Sequence, residues 1–331
     1  MKHFQRKGAK AQRKNLLILC AFLLLNCQPV FSQASTEAQA LNAIKLATNP
    51  TSKLAAAEDF IARFPKSGER LHIAELVADE LMKVRDGHVA LALLERARTV
   101  FTAEPELEIL KPVALEAYAI GNRVDDAFAL AAEMLARNPD DLHVFVRMTR
   151  AGAQETRNRN RRHSDVSLQY GLKAIAIIEK GNKPSGLDDE TWAAHKAHLG
   201  QLYQETAILY LAAENTEEAK ARLKRASELS PQDPSNFALF GRIINADYLS
   251  QLKSYEEMPE GKPKQEALKK LEVLLDSVID AYARAAGLAT GRAEYQALLQ
   301  QVILDLTTYY KYRYKSTKGL PQLINQYRVR R

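Results

Sequence analysis

The chain has 331 residues and a formal net charge of +7 at pH 7, but that charge sits at its two ends. Of 47 Lys and Arg, six fall within residues 1–34 and seven within 311–331, and neither stretch holds an acid. The intervening 35–310 carries 40 acidic residues against 34 basic ones, which argues against a body built to grip a nucleic-acid backbone.

The first element is read from "MKHFQRKGAKAQRKN", which is cationic, and "LLILCAFLLL", Leu16 to Leu25, which is apolar. Pro29 breaks the run, and Ser32 and Ala34 place small residues before a cut after Ala34. This is the pattern of a secretory signal peptide over 1–34. The apolar run is shorter than the ~20 residues that a membrane span needs. Export to a periplasmic or extracellular space is expected. Both cysteines, Cys20 and Cys27, lie in the segment to be removed, so no disulfide partner is expected in the mature chain. Two alternatives stay open, a retained N-terminal anchor and a lipid attached at Cys27, which would make the protein envelope-associated.

From residue 35 onward apolar residues recur at i, i+3, i+4 and i+7, and no strand pattern appears. The spacing predicts an all-α chain of about seven helical hairpins, near 37–66, 70–104, 107–139, 140–183, 189–231, 234–288 and 292–328. "LAAAEDFIARFPKS" (54–67) reads as a second helix ending at Pro65, and 72–101 reads as a full pair. The fourth pair is stretched by a loop. The sixth carries an insert, "KSYEEMPEGKPK", before a helix over 265–286.

Two segments repeat one another. In 115–141 and 207–234, Tyr118 matches Tyr210, Ala127 matches Ala219, Met134 matches Ala226 and Pro139 matches Pro231. Small residues at these spacings let two helices cross closely, and a Pro stops the second. The unit resembles the tetratricopeptide repeat, of about 34 residues. Ala207, Tyr210, Ala219, Leu223, Ala226 and Pro231 stand at its signature positions, and Phe237, Phe240, Gly241 and Ile244 carry the first-helix signature of the next unit. The resemblance implies an α-solenoid wound as a right-handed superhelix over 35–331. It also implies a protein or peptide partner held in a groove lined by the first helix of each pair. In the family's register the groove-facing residues are His72, Glu75, Asp79, Glu116, Gln204, Ile208, Arg242 and Asn245. The cations with which the family commonly grips a chain-terminal carboxylate are missing there. The groove is acidic at Glu75, Asp79 and Glu116 and more basic at Arg242, which suits a partner with a charge gradient.

Three constellations could carry chemistry. "TRNRNRRHSD" (156–165) gathers Arg157, Arg159, Arg161 and Arg162 in the loop of the stretched hairpin. It is either an anion-binding loop or a solvated run of mutually repelling cations. His195 and His198, three apart, share a helix face, but no third or fourth metal ligand stands at a recognisable spacing. Trp192 is expected to staple the start of that helix to the hairpin before it. No phosphate loop, nucleophile elbow or paired-carboxylate motif is present, so neither an enzyme nor a cofactor is expected.

The last element, "YYKYRYKSTKG" (309–319), interleaves aromatic and cationic side chains as single-strand nucleic-acid grooves do. Yet the stripe Tyr295, Leu298, Leu299, Val302, Ile303 and Leu306 extends by helical steps to Tyr309 and Tyr310, which predicts that both face the core. Tyr312 and Tyr314 fall off the stripe. Lys311, Arg313 and Lys315 sit where cations favour the helix C-terminus. The segment therefore reads as a cap, with "LPQLINQY" as a short lid. A peripheral contact with anionic lipid is the next alternative, and nucleic acid is a weaker one.

Overall fold

The computed structural model describes residues 36–328; residues 1–35, with the segment expected to be a signal peptide, and the last three residues lie outside it. The described residues are helical throughout, with no strand among them. The all-α expectation holds. No described helix is long and apolar enough to cross a membrane. The chain divides into two compact units, Met1–Glu133 and Met134–Arg331.

The first unit contains α1 (36–46), α2 (Pro50–Arg63), α3 (Arg70–Leu81), α4 (Gly87–Val100) and α5 (Glu104–Ile120), and α6 (Val124–Arg137) begins in it. Local chemistry starts these helices. The Asn49 side chain accepts a hydrogen bond from the Ser52 amide, with Pro50 at the first helical position, and Asp86 does the same for Val89. The apolar faces then meet. α2 packs on α3 and α4, and α5 packs on α3 and α4. Leu54, Phe60, Ile73, Leu94, Phe101 and Leu115 are fully buried between them.

The second unit continues with α7 (Leu142–Arg157), α8 (Ser164–Lys180), α9 (Asp189–Ala197), α10 (Leu199–Ala212) and α11 (Thr216–Leu229). It ends with α12 (Pro234–Glu256), α13 (Lys262–Ala289), a 3-10 turn (Ala293–Tyr295), α14 (Gln296–Tyr314) and α15 (Leu320–Gln326). α10 packs on α7, α8 and α11, while α13 packs on α12, α14 and α15. Small residues make the crossings. Ala207, Ala219 and Ala226, three of the repeat-signature positions, are completely buried. A Cβ added at Gly171 of α8 would lie 2.5 Å from the Thr206 methyl of α10.

Several boundaries differ from the sequence reading. α12 runs on to Glu256, so the first part of the insert is helical and only 257–261 interrupts the chain. α13 is longer than expected at both ends, with Pro263 in its first turn. The chain turns at His198, between α9 and α10, and its ring nitrogen Nδ1 lies 2.7 Å from the Ala194 carbonyl. His195 lies in α9, whereas His198 is the junction residue outside both helices, so the two do not share one uninterrupted helix face. Trp192 holds the start of α9 to the hairpin before it, as expected. It lies inside α9 and is buried against Leu142, Phe145, Ile175 and Ile178.

At the C-terminus Tyr309 and Tyr310 are half-buried against the α12–α13 core, as the stripe predicts. Tyr309 stacks on Tyr282 and meets Tyr248 edge-on, each at 6.3 Å between ring centres. Tyr310 donates to the Lys318 carbonyl at 3.2 Å. Tyr312 and Tyr314 are exposed. Two members of the predicted pattern behave otherwise. Ile303 is exposed, one helical step too far round. Arg313 is not merely a cation at a helix end. Its guanidinium is part-buried and donates to both oxygens of Asp276, at 2.8 and 3.2 Å, and to Glu272 at 3.3 Å.

Candidate concave binding site

Within the second unit, two groups of side chains that are far apart in sequence meet. α7 ends at Arg157, and the loop 158–163 turns back toward α8. Arg159 adopts the left-handed conformation, φ 67°, which an L side chain enters only when its surroundings hold it there. Local bonds do hold it. Asn160 donates to Glu155 at 2.7 Å, the Arg162 amide donates to Asn160 at 3.2 Å, and the Ser164 hydroxyl donates to the Arg161 carbonyl at 2.8 Å. Arg161 reaches across to the last residues of α10, donating to the Ala212 carbonyl at 3.3 Å. The backbone of the arginine run is therefore a structured turn, and its four arginines are exposed on it.

That turn forms one wall of a concavity of about 860 Å³. Arg157, Arg159 and Arg161 line it from this side, and Arg242 of α12 lines it from another. Ile208 and Leu211 of α10, Leu239 of α12 and Leu298 of α14 form its apolar surface. Of the groove positions predicted from the repeat register, Gln204, Ile208 and Arg242 are here. Gln204 is buried and committed, donating to Asn236 at 2.7 Å. Asn245 is half-buried and does not line the concavity, and Arg162 points elsewhere. Glu75, Asp79 and Glu116 belong to the first unit, where Glu75 and Asp79 are exposed and Glu116 half-buried. His72 pairs with Glu75 across 3.6 Å.

The electrostatics of the concavity are unbalanced. Arg157 is crowded by surrounding atoms, and this crowding, assisted by Arg242, lowers its pKa from the ordinary guanidinium value, while Glu205 opposes the shift. Glu205 lies in α10, 1% exposed. Its Oε1 accepts from Gln201 at 2.9 Å and Arg150 at 3.4 Å, and its Oε2 has no hydrogen-bond partner. Burial pushes this carboxyl above the usual glutamate range, against the pull of Arg150 and Arg157. The burial of Glu205 is not readable from the sequence, because a carboxylate in the middle of an apolar helix face is not distinguishable by spacing from an exposed one.

A second concavity, of about 1060 Å³, lies between α11, α12 and α13. Most of its charged groups are already engaged. Lys220 pairs with Glu217 and Asp247, Asp276 with Arg313, and Asp280 with the Tyr327 hydroxyl, while Arg284 lies over the Phe237 ring at 4.4 Å. Burial first, then His143 and His198, hold His195 below the usual imidazole range, and no group of three or more metal-binding side chains occurs among the described residues.

No protein-family model matches the chain, and no curated protein matches its sequence.

Proposed function

We propose that the chain is an exported, non-catalytic helical-repeat scaffold of tetratricopeptide type that holds a segment of another protein in the concavity of its second unit. One observation carries this reading. Residues assigned to the groove from the repeat register, Gln204, Ile208 and Arg242, border the same hollow as the arginine turn. The buried alanines at 207, 219 and 226, and the pairwise packing of α7 with α8, α10 with α11 and α12 with α13, support a stack of hairpins. In such a stack each pair rests mainly on its neighbours. Export rests on the cationic and apolar pattern of residues 1–34.

The test is site-specific photocrosslinking in an exporting bacterium. A photoreactive side chain at Ser235, on the rim of the concavity, should yield a discrete protein adduct. One at Val273, exposed on α13 outside this concavity, should not. Equal labelling from both positions, or none from Ser235, would remove the groove from consideration.

A second reading, contact with anionic envelope lipid, is favoured by the exposed face of α14. There Lys311, Tyr312 and Lys315 are exposed, with Lys315 4.8 Å above the Tyr312 ring. Vesicle flotation with and without anionic lipid separates this reading from the first.

A further inference from the structure

The concavity described above gathers arginine charge that the described residues balance only in part: Glu205 acts on Arg157, and Glu214 lies 4.0 Å from Arg161. Neither the Arg159 nor the Arg242 side chain has a hydrogen bond or ion pair among the described residues. Arg157 has one long contact, to Gln154 at 3.4 Å. Like charges collected in a hollow repel, and the repulsion is offset when an anion enters. In the second concavity, by contrast, Lys220, Asp276 and Asp280 each have a partner within the chain. The Thr156 hydroxyl, shielded from solvent at the same arginine-lined surface, also lacks a partner.

The rest of the lining narrows the class of anion. Beside the uncharged polar Gln154, Gln204 and Ser235 it is aliphatic, and no aromatic ring is among it. Bases stack on aromatic faces in single-strand grooves. An aliphatic surface beside guanidinium groups suits instead a peptide that alternates carboxylates with branched apolar side chains. Resting on the reading that the concavity holds a protein segment, we propose that the segment is acidic and aliphatic. Its carboxylates lie against Arg157, Arg159 and Arg242, and its apolar side chains enter between Ile208, Leu211 and Leu239.

The experiment uses the mature chain and three fluorescent probes: a peptide of alternating Glu and Leu, the same peptide with Gln for Glu, and a single-stranded oligonucleotide. Anisotropy should show the Glu–Leu peptide binding, weakening with salt, and the Gln peptide binding about tenfold or more weakly. Arg159→Gln and Arg242→Gln, both at exposed side chains, should each weaken the Glu–Leu peptide by about tenfold. Arg162→Gln, outside the concavity, should change nothing. Equal affinity for the Glu and Gln peptides would overturn the charge assignment while leaving a peptide groove in place. Tighter binding of the oligonucleotide than of the Glu–Leu peptide would overturn the ligand class. Absence of binding by every probe, in a chain that still crosslinks to a protein through Ser235, would overturn the acidic segment but not the groove. Absence of both would remove both.

Discussion

Arg70 reaches from the first residue of α3 to hold Glu106 of α5 with two hydrogen bonds, of 2.6 and 3.0 Å. Glu106 is 1% exposed and also accepts from the Ala103 amide at 3.1 Å, so one carboxylate both starts α5 and ties it to α3. Burial alone would push this carboxyl up. The bonds from Arg70 and the Ala103 amide outweigh it, and the net shift is downward. A carboxyl whose folded pKa is depressed contributes stability above its unfolded pKa, which is lost as pH falls through the folded value.

Arg70→Met should therefore destabilise the first unit by ~3 kcal/mol at neutral pH, because it strands a buried carboxylate. The penalty should shrink as pH drops below the ordinary glutamate value of 4.5. Hydrogen exchange of α3 and α5 amides at two pH values reads both effects. An equal penalty at both would show that the pair does not act through charge.

Gly241 of α12 lies against the ring of Tyr282. A Cβ at that position would sit 2.6 Å from a ring carbon. Gly241→Ala gains ~1 kcal/mol of helix propensity but should still destabilise by ~1–3 kcal/mol through overpacking. Adding Tyr282→Leu should make the alanine better tolerated than it is beside the tyrosine. The double-mutant cycle in denaturant titration checks the sign of that coupling.

The C-terminal cap divides its roles unevenly. Tyr309→Ser should cost ~1.5–3 kcal/mol through lost burial against Tyr248 and Tyr282. Arg313→Gln should cost ~1 kcal/mol, since it removes a forked pair with Asp276. Lys311→Gln, at an exposed site, should be close to neutral. Thermal melts of the three variants rank them, and a Lys311 effect as large as that of Arg313 would contradict the geometry.

Glu205 sets a pH dependence opposite to that of Glu106. Its pKa is raised on folding, so its contribution is fully present below the ordinary value of 4.5 and lost as pH rises through the folded value. Glu205→Gln should raise the melting temperature at neutral pH and leave it nearly unchanged in mild acid. Melting curves across that range test it, and lower stability at neutral pH would show that the bond to Arg150 outweighs the burial of the carboxylate.

The all-helical character was legible because one-sided burial writes a helical period into the chain. Val302, Leu306, Tyr309 and Tyr310 follow that period and pack as it predicts. Ile303 shares the residue type but not the face, and only the neighbouring helices decide which edge of a stripe is covered. The pairing of Arg313 with Asp276 links residues 37 apart through packing, so no local pattern announces it. The arginine wall was half visible. The run at 157–162 stood out, and Arg242 came from the repeat register, but their meeting depends on how α7, α10 and α12 stack. The break at His198 is marked in the sequence only by Gly200 two residues on, a glycine that close packing against Ser230 also requires.

The burial of Trp192 has an optical consequence. It is the only tryptophan in the chain, and it lies in the second unit beneath Leu142, Phe145 and Ile178. Light absorbed selectively by indole therefore reports on that unit and is blind to the first. Emission should shift to the red as α9 leaves the core, whereas loss of helix anywhere in the chain is registered by circular dichroism. When the two signals are followed together in one titration, the gap between their midpoints measures how independently the two halves of the chain come apart, without a label or a cut.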